Sequence, residues 1–488
     1  GQCRAVPLTL SHTDIGQNPE TMEIINGQAT PVVPPPQRTP NPGSPSGSCD
    51  LKSVPSPSVA SESPLNAKHL NQRHGIESDE KMTLLDPSKY PAKRGKEEVK
   101  VIHRTKELIG KRDPTLLKRY RNDAHKISRV VMREVRPKNG YNAEKAARFY
   151  QETVEWRERF WMEHTLRHPP GKLEVVNMLV PELNYGCFDR EGYPVYFLHF
   201  GLASGKQVLN RISSQEWANC HAYGLDMMEL MCRQQTVKLG SWIDKMRVVV
   251  DFEGVSIFAI RDFMSHAKRC ANMDTTYYTG LMLSTYLINV PQSLSWATAL
   301  FWPFLSAGVK RKVKLFTTGF EKDLLKVIPP ESLPVKYGGE REWDPIHVNS
   351  INWKAYDSQI KKTGRRDFEL KRILLKSGQK HQVSLHCAAG TQVRYYFETD
   401  VTALKFECLF YKKGQHIGTN LVESSLRKSN IVPELSHVSV FDEGAVVLTW
   451  RNENGWSTKK QHLIFGYKRV TIEIPKVDGA LGHLKLIT

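Results

Sequence analysis

Cysteine is scarce in this chain, with eight in 488 residues, and no two of them form a C-x-x-C pair. That excludes a disulfide scaffold and points to a reducing, cytoplasmic setting. Long apolar runs are missing too. No stretch reaches about 18 consecutive apolar residues, so no transmembrane helix is expected. The N-terminal "GQCRAVPLTL" lacks a basic-then-apolar signal pattern, and Ala5 stands where a myristoylation signal needs Ser or Thr. Without an initial Met, the sequence reads as a fragment. Acids are outnumbered: 69 Lys and Arg against 51 Asp and Glu leave a net charge of +18, which calls for an anionic partner, nucleic acid or a membrane surface.

Enzyme signatures are also lacking. There is no G-x-S-x-G elbow and no G-x-G-x-x-G loop. "FGLASGKQ" approaches a phosphate loop, but Gly201 lies one residue too close to Gly205, and Gln207 replaces the magnesium-binding hydroxyl. His266 with Cys270, and His381 with His386 and Cys387, lack a second ligand pair and read as ordinary residues, so no metal site is expected. The basic run has no interleaved aromatics for base stacking and no reader motif, which argues against nucleic acid.

What is present divides into four parts. Residues 1–80, with "PVVPPPQRTPNPGSPSGS", are too rich in Pro, Ser and Gly to bury a core and read as disordered. Residues 100–165 form a basic helical module. Between 100 and 150, fifteen Lys and Arg face five acids, and "YNAEKAARFYQETVEWRERF" places Ala146, Phe149, Tyr150, Thr153, Trp156 and Phe160 on one helix face behind an Asn142 cap. From 170 to 340, short apolar runs such as "YPVYFLHF", "MRVVVDFEG", "STYLINVP" and "VKLFTTG" alternate with helices. The longest helix opens with a Ser213–Glu216 capping box and runs to about Leu239. That alternation predicts an α/β fold with a mainly parallel sheet. From 351 to 476 helix signals fade and strands such as "VRYYFETD", "ALKFECLFYKKG" and "AVVLTW" predict an all-β sandwich.

One stretch departs from the water-loving average. Leu294, Trp296, Ala297, Leu300, Phe301, Trp302, Phe304 and Leu305 surround their helix almost completely, and Lys310, Arg311, Lys312 and Lys314 follow. Such a helix is either buried or exposed to lipid. It is too short to span a bilayer, and Pro303 limits its continuation. Met227, Met228 and Met231 suit an irregular apolar cavity and ordinary core packing equally well.

Six segments in order resemble the CRAL-TRIO lipid-transfer family: "YNAEKAARFYQETVEWR", "FDREGYPVYFLHFG", "VVVDFEGVS", "YYTGLMLSTYLINVP", "FWPFLS" and "LPVKYGGE". The C-terminal "VRYYFETDVTALKFECLFYKKG" and "AVVLTWRNENGWSTKK" are similar to a GOLD domain, as in the tocopherol-associated, supernatant protein factor type. The resemblance implies a CRAL-TRIO lipid-binding fold with an N-terminal helical module and a GOLD sandwich. It implies a non-catalytic carrier of a hydrophobic ligand, most simply a phospholipid, with no other cofactor. It makes the segment holding Trp296, Leu300, Phe301, Trp302, Phe304 and Leu305 a gate over the pocket, and Lys310, Arg311 and Lys312 contacts to an anionic membrane. It places Tyr277 and Tyr278 near the pocket, with Met227 and Met231 as candidate lining. Its headgroup positions fall on Arg133, Arg136, Lys138 and Lys314, while Arg269 stands where inositol binders carry Glu. A guanidinium accepts no hydrogen bonds from sugar hydroxyls, so the expected ligand is a phospholipid with little inositol preference. GOLD implies a protein partner and, as the alternative to lipid transfer, a lipid-regulated scaffold or trafficking adaptor acting through that domain.

Overall fold

The structure is a computed structural model. It describes residues 21–25, 28–30, 96–119, 124–133, 142–183, 186–202, 207, 210–255, 257–291, 310–343, 350–401, 403–427, 433–454 and 461–472.

Two short strands, β1 (Thr21–Ile25) and β2 (Gln28–Thr30), come first. They pair with each other and with β9 (Lys380–Cys387) of the C-terminal sheet, and so correct the expectation that residues 1–80 are wholly without structure. The physical reason lies in β9, which would otherwise leave a row of edge amides and carbonyls unpaired.

The helical module holds α1 (Lys96–Arg112), α2 (Pro114–Arg119), α3 (Ala124–Arg133) and α4 (Ala143–Arg159). Asn142 caps α4, its side chain accepting from the Lys145 amide at 3.0 Å. Ile102, Ile109, Ile127, Val131, Ala146, Tyr150 and Val154 form its core. Much of the basic charge here is internal. Lys126 and Arg129 pair with Glu229, and Arg157 meets Asp226 at 2.9 Å, all of them buried. These cations dock the module onto the α/β domain, since a buried charge is tolerated only with a partner.

The α/β domain contains α5 (Leu173–Leu179), β3 (Glu182–Leu183), β4 (Val195–His199), α6 (Ser214–Leu239), β5 (Met246–Asp251), α7 (Ile257–Thr276), β6 (Met282–Ile288), β7 (Val313–Leu315) and α8 (Glu321–Val327). The expected capping box at Ser213 and Glu216 is formed. The sheet runs β3-β4-β5-β6-β7, parallel from β4 to β7, with β3 antiparallel at one edge. One face packs Val195, Phe197, Val249, Tyr286 and Ile288 against Phe320, Leu324, Ile328 and Tyr337. Gly201, the glycine of the false phosphate loop, is required by packing: a Cβ there would stand 1.7 Å from the Glu253 carbonyl oxygen.

A helix, α9 (Trp353–Asp367), opens the region expected to be all-β, and this is a second correction. Its buried stripe is narrow. Gly364 lets the ring of Tyr396 lie against the backbone, where a Cβ would be 2.2 Å away. The sandwich follows, with β8 (Lys371–Leu375), β9, β10 (Thr391–Thr399), β11 (Ala403–Lys412), β12 (Thr419–Arg427), β13 (Glu434–Val440), β14 (Gly444–Asn452) and β15 (Gln461–Thr471). Its sheets run β12-β11-β14-β9-β1-β2 and β13-β10-β15-β8. Trp450, Phe397, Phe406 and Phe465 fill the space between them. Trp161 enters this core from the α/β side, 5.0 Å from the Phe410 ring, its Nε1 donating to Asp442 at 3.0 Å.

Candidate functional site

Among the described residues the second face of the α/β sheet is closed less tightly than the first: Leu198 packs against α5, α6 and α7, and Leu287 against Val290 and Met264, yet neither is fully buried. Strand register sets Leu198, Val250, Leu287 and Leu315 in one row across β4, β5, β6 and β7. Parallel sheets are ordinarily covered on both faces. Here Leu198, Val250 and Leu287 are each half-buried and Leu315 is 43% exposed. The next row holds Tyr196, Val248, Thr285 and Val313. Helix α6 stands on this face, since Tyr196 packs with Ala218, Ala222 and Leu225. The neighbouring strand residue Val249 points the other way and is 1% exposed.

Polar groups gather beside this floor. His221 of α6 and Asp274 of α7 meet at 2.8 Å. Burial alone would lower the His221 pKa, but Asp274 outweighs it and the imidazole is raised above its ordinary value. Glu182 is hydrogen-bonded to Tyr196, and burial raises its carboxyl, with His221 near enough to oppose the rise. Together they offer two carboxylate acceptors, a phenol and an imidazole to a polar group lying at the edge of an apolar surface.

The segments that carried the resemblance converge at the strand ends. Asp189 of "FDREGYPV" takes hydrogen bonds from the Glu191 and Tyr193 amides and from Arg247. Asp251 of "VVVDFEG" accepts from Tyr337 at 3.0 Å and from Asn289 at 2.8 Å. Among the described residues, His199, Asp251 and Glu253 bring metal-type donors together. Lys336 already supplies a cation there, at 3.0 Å from Asp251 and 2.9 Å from Glu253. Burial holds His199 down to about 4, so it is neutral at pH 7. The cluster reads as an internal ion-pair network that ties "LPVKYGG" to β5.

The expected site residues distribute unevenly. Trp296, Leu300, Phe301, Trp302, Phe304 and Leu305 lie outside the described residues, as do Arg136 and Lys138. Arg133 ends α3 and its side chain is not described. Met231 is 1% exposed and packs in the core with Met228, while Met227 is half-buried. Tyr277 stacks on Trp156 at 4.2 Å, and Tyr278 is buried, donating to Asp226 at 2.9 Å. The Tyr pair therefore joins α7 to the helical module. Arg269 is exposed and donates to Gln215, which removes the premise of a buried guanidinium.

The basic cluster is also split. Lys314 shares a sheet face with Tyr286, its ammonium 5.1 Å over that ring, and so lies opposite the open row. Lys312 turns inward instead, donating to the Met282 carbonyl at 2.7 Å, and burial lowers its pKa. Arg311 is exposed and Lys310 half-buried. Sequence reasoning missed the Leu198–Val250–Leu287–Leu315 row and the His221–Asp274 pair. A His on α6 and an Asp on α7 carry no sequence spacing that links them.

A second cleft, of about 100 Å³, opens where the sandwich meets the α/β domain, lined by Trp161, His168, Lys172, Glu216 and His437. It is too small for an acyl chain.

Residues 185–339 match the CRAL/TRIO domain. The α/β part of the chain thus carries the domain that its motifs resemble, while the match does not reach the C-terminal sandwich. The chain is similar to the SEC14 cytosolic factor of Kluyveromyces lactis, at 29% identity over 41% of this chain and 67% of that protein. It is also 29% identical to the SEC14 cytosolic factor of Eremothecium gossypii, over 32% of this chain and 52% of that protein. The chain spans two thirds of the first relative and about half of the second. The crystal structure of Sfh5 overlaps 44% of this chain and 76% of its own, at 18% identity and a TM-score of 0.30. Among the described residues no helix is long and apolar enough to cross a membrane.

Proposed function

We propose that this chain binds a lipid on the open face of its α/β sheet and carries it between membranes. The reading is non-catalytic and needs no cofactor beyond the bound lipid. One observation carries it: the apolar row Leu198–Val250–Leu287–Leu315, less fully buried than the opposite face of the same parallel sheet. A two-chain lipid drawn into water exposes about 30 methylenes at about 0.8 kcal/mol each, so a carrier must offer such a surface. The CRAL/TRIO match and the SEC14 cytosolic factor relatives support the same reading.

In this proposal the ligand is a phospholipid. Its polar end meets the His221–Asp274 and Glu182–Tyr196 groups, and residues 294–305 act as the gate. Arg311, which is exposed, and the half-buried Lys310 attract the anionic surface, a cation near such a surface contributing about 1 kcal/mol. Lys312 is assigned to the inside of the domain by its bond to Met282. The sandwich is read as a GOLD domain that recruits a protein partner, and the whole works in the cytoplasm with transient membrane contact. The test is lipid transfer between donor and acceptor vesicles. Replacing Trp296, Phe301 and Trp302 together by Ala is expected to slow transfer far more than it lowers the unfolding midpoint. Loss of folding with no separate transfer defect would return those residues to the core.

A further inference from the structure

Helix α9 carries a charged face that neither the sheet nor the lipid reading uses. Trp353, Tyr356, Ile360 and Gly364 form its inward stripe at 3- and 4-residue spacing. The N-terminal half is held by Arg211, which lies 4.2 Å over the Trp353 ring and bonds Asp357 at 2.6 and 2.9 Å. The C-terminal half lies on β10 through Gly364 and Tyr396. The opposite arc therefore faces outward, and it holds Lys354, Lys361, Lys362, Arg365 and Arg366, all exposed. Ala355, Ser358 and Gln359 share that arc.

The sheet continues this surface. Glu398, Ile464 and Arg372 stand in one cross-strand row on the same face, with Leu374 beside Arg372. Arg372 is exposed, and Leu374 is 45% exposed. Lys361 and Arg365 both pair with Glu398, and Arg366 pairs with Asp367. Lys354, Lys362 and Arg372 have no acidic partner among the described residues.

We infer that this α9–β8 face is a docking surface for an anionic membrane. Six cations against two carboxylates select a negatively charged partner. The face is the convex outer side of a helix, which fits a broad charged plane better than a small anion needing a pocket. Its aromatic residues, Trp353 and Tyr356, are turned inward toward Arg211, so no stacking platform for nucleic acid is presented. An exposed leucine among Lys and Arg is the arrangement that a headgroup interface accepts. The surface is built from α9 and the sandwich strands β8, β10 and β15, and uses none of the residues Lys310–Lys314. It would hold the carrier at the membrane by a second point.

The test uses the full chain and flotation with vesicles of phosphatidylcholine, with and without phosphatidylserine. Wild-type protein is expected to bind the phosphatidylserine vesicles and to lose them at high salt. Reversing Lys354→Glu, Lys362→Glu and Arg372→Glu together is expected to weaken that binding by on the order of tenfold to a hundredfold. The unfolding midpoint and the amount of co-purified lipid should stay unchanged. Should the reversal disturb folding, Lys354→Gln, Lys362→Gln and Arg372→Gln read the same effect at smaller size. Wild-type-like binding by both triple variants would overturn the inference. So would binding indifferent to phosphatidylserine, or binding abolished by Arg311→Glu alone. Tighter binding of an oligonucleotide than of the vesicles would transfer the face to nucleic acid and also overturn it.

Discussion

The sandwich and the α/β sheet treat their apolar side chains in opposite ways. Between the two sandwich sheets, Trp450, Phe397 and Phe465 are all at 0% exposure and pack in one core. On the α/β sheet one face reaches the same closure through Val249, Tyr286 and Ile288, while the other leaves Leu198, Val250 and Leu287 half-buried. A closed core contributes stability and nothing else. An open apolar row keeps surface in reserve for a guest, at a cost that only a bound apolar ligand offsets.

The largest effect expected from this contrast is in the sandwich. Trp450→Ala should cost about 3–5 kcal/mol in urea unfolding, because the pocket between two sheets cannot collapse onto the missing ring. Retention of near-normal stability would show that the sandwich is less tightly filled than its burial indicates.

The junction between the two regions should respond to pH. Burial raises the Glu216 carboxyl to about 7, with Lys172 opposing the rise and Glu434 adding to it. The folded state then holds this proton where the unfolded chain, with an ordinary carboxyl near 4.5, has released it. Stability should therefore fall as pH rises from about 4.5 to about 7, by up to about 3 kcal/mol. Glu216→Gln keeps the capping geometry and should flatten that slope in thermal melts across this range. An unchanged slope would mean that Glu216 is not the titrating group.

Two neighbours on β5 sharpen the comparison further. Val249→Phe overpacks the closed face and should cost about 1–3 kcal/mol. Val250→Phe places the same ring on the open face and should cost less than about 1 kcal/mol while reducing lipid content. Equal destabilisation by the two would erase the difference between the faces.

How much of this was legible in the sequence varies with the physics behind each element. The Ser213–Glu216 capping box and the Asn142 cap are local hydrogen-bond patterns, and both stand in the structure where the residues put them. The parallel strands were legible because continuous apolar runs between helices have few other solutions. Those same runs conceal which face is open, since "MRVVVD" looks alike on both sides; only the register across four strands separates Val249 from Val250. Alternation does not separate the basic cluster, because residues 312 and 314 are two apart, and Lys312 lies before β7 begins at Val313. Lys312 and Lys314 look equivalent in "KRKVKLF", yet one bonds Met282 and the other lies over Tyr286. Helix α9 was missed because its apolar stripe is thin and contains Gly364, so docking between the domains stabilises it more than propensity does.

Arg269 should give the smallest effect. It is exposed, with Gln215 as its partner, so Arg269→Gln should change stability by less than about 0.5 kcal/mol. It should also leave the ratio of phosphatidylinositol to phosphatidylcholine taken from mixed vesicles unchanged. A clear shift in that ratio would bring Arg269 back to the ligand.

The most direct measurement is native mass spectrometry of the purified chain beside its Val250→Phe, Leu287→Phe variant. The open-row account predicts a lipid mass adduct on the unmodified protein and its loss from the folded variant. Equal lipid loading of both proteins, or a bound mass that is not a lipid, would contradict it.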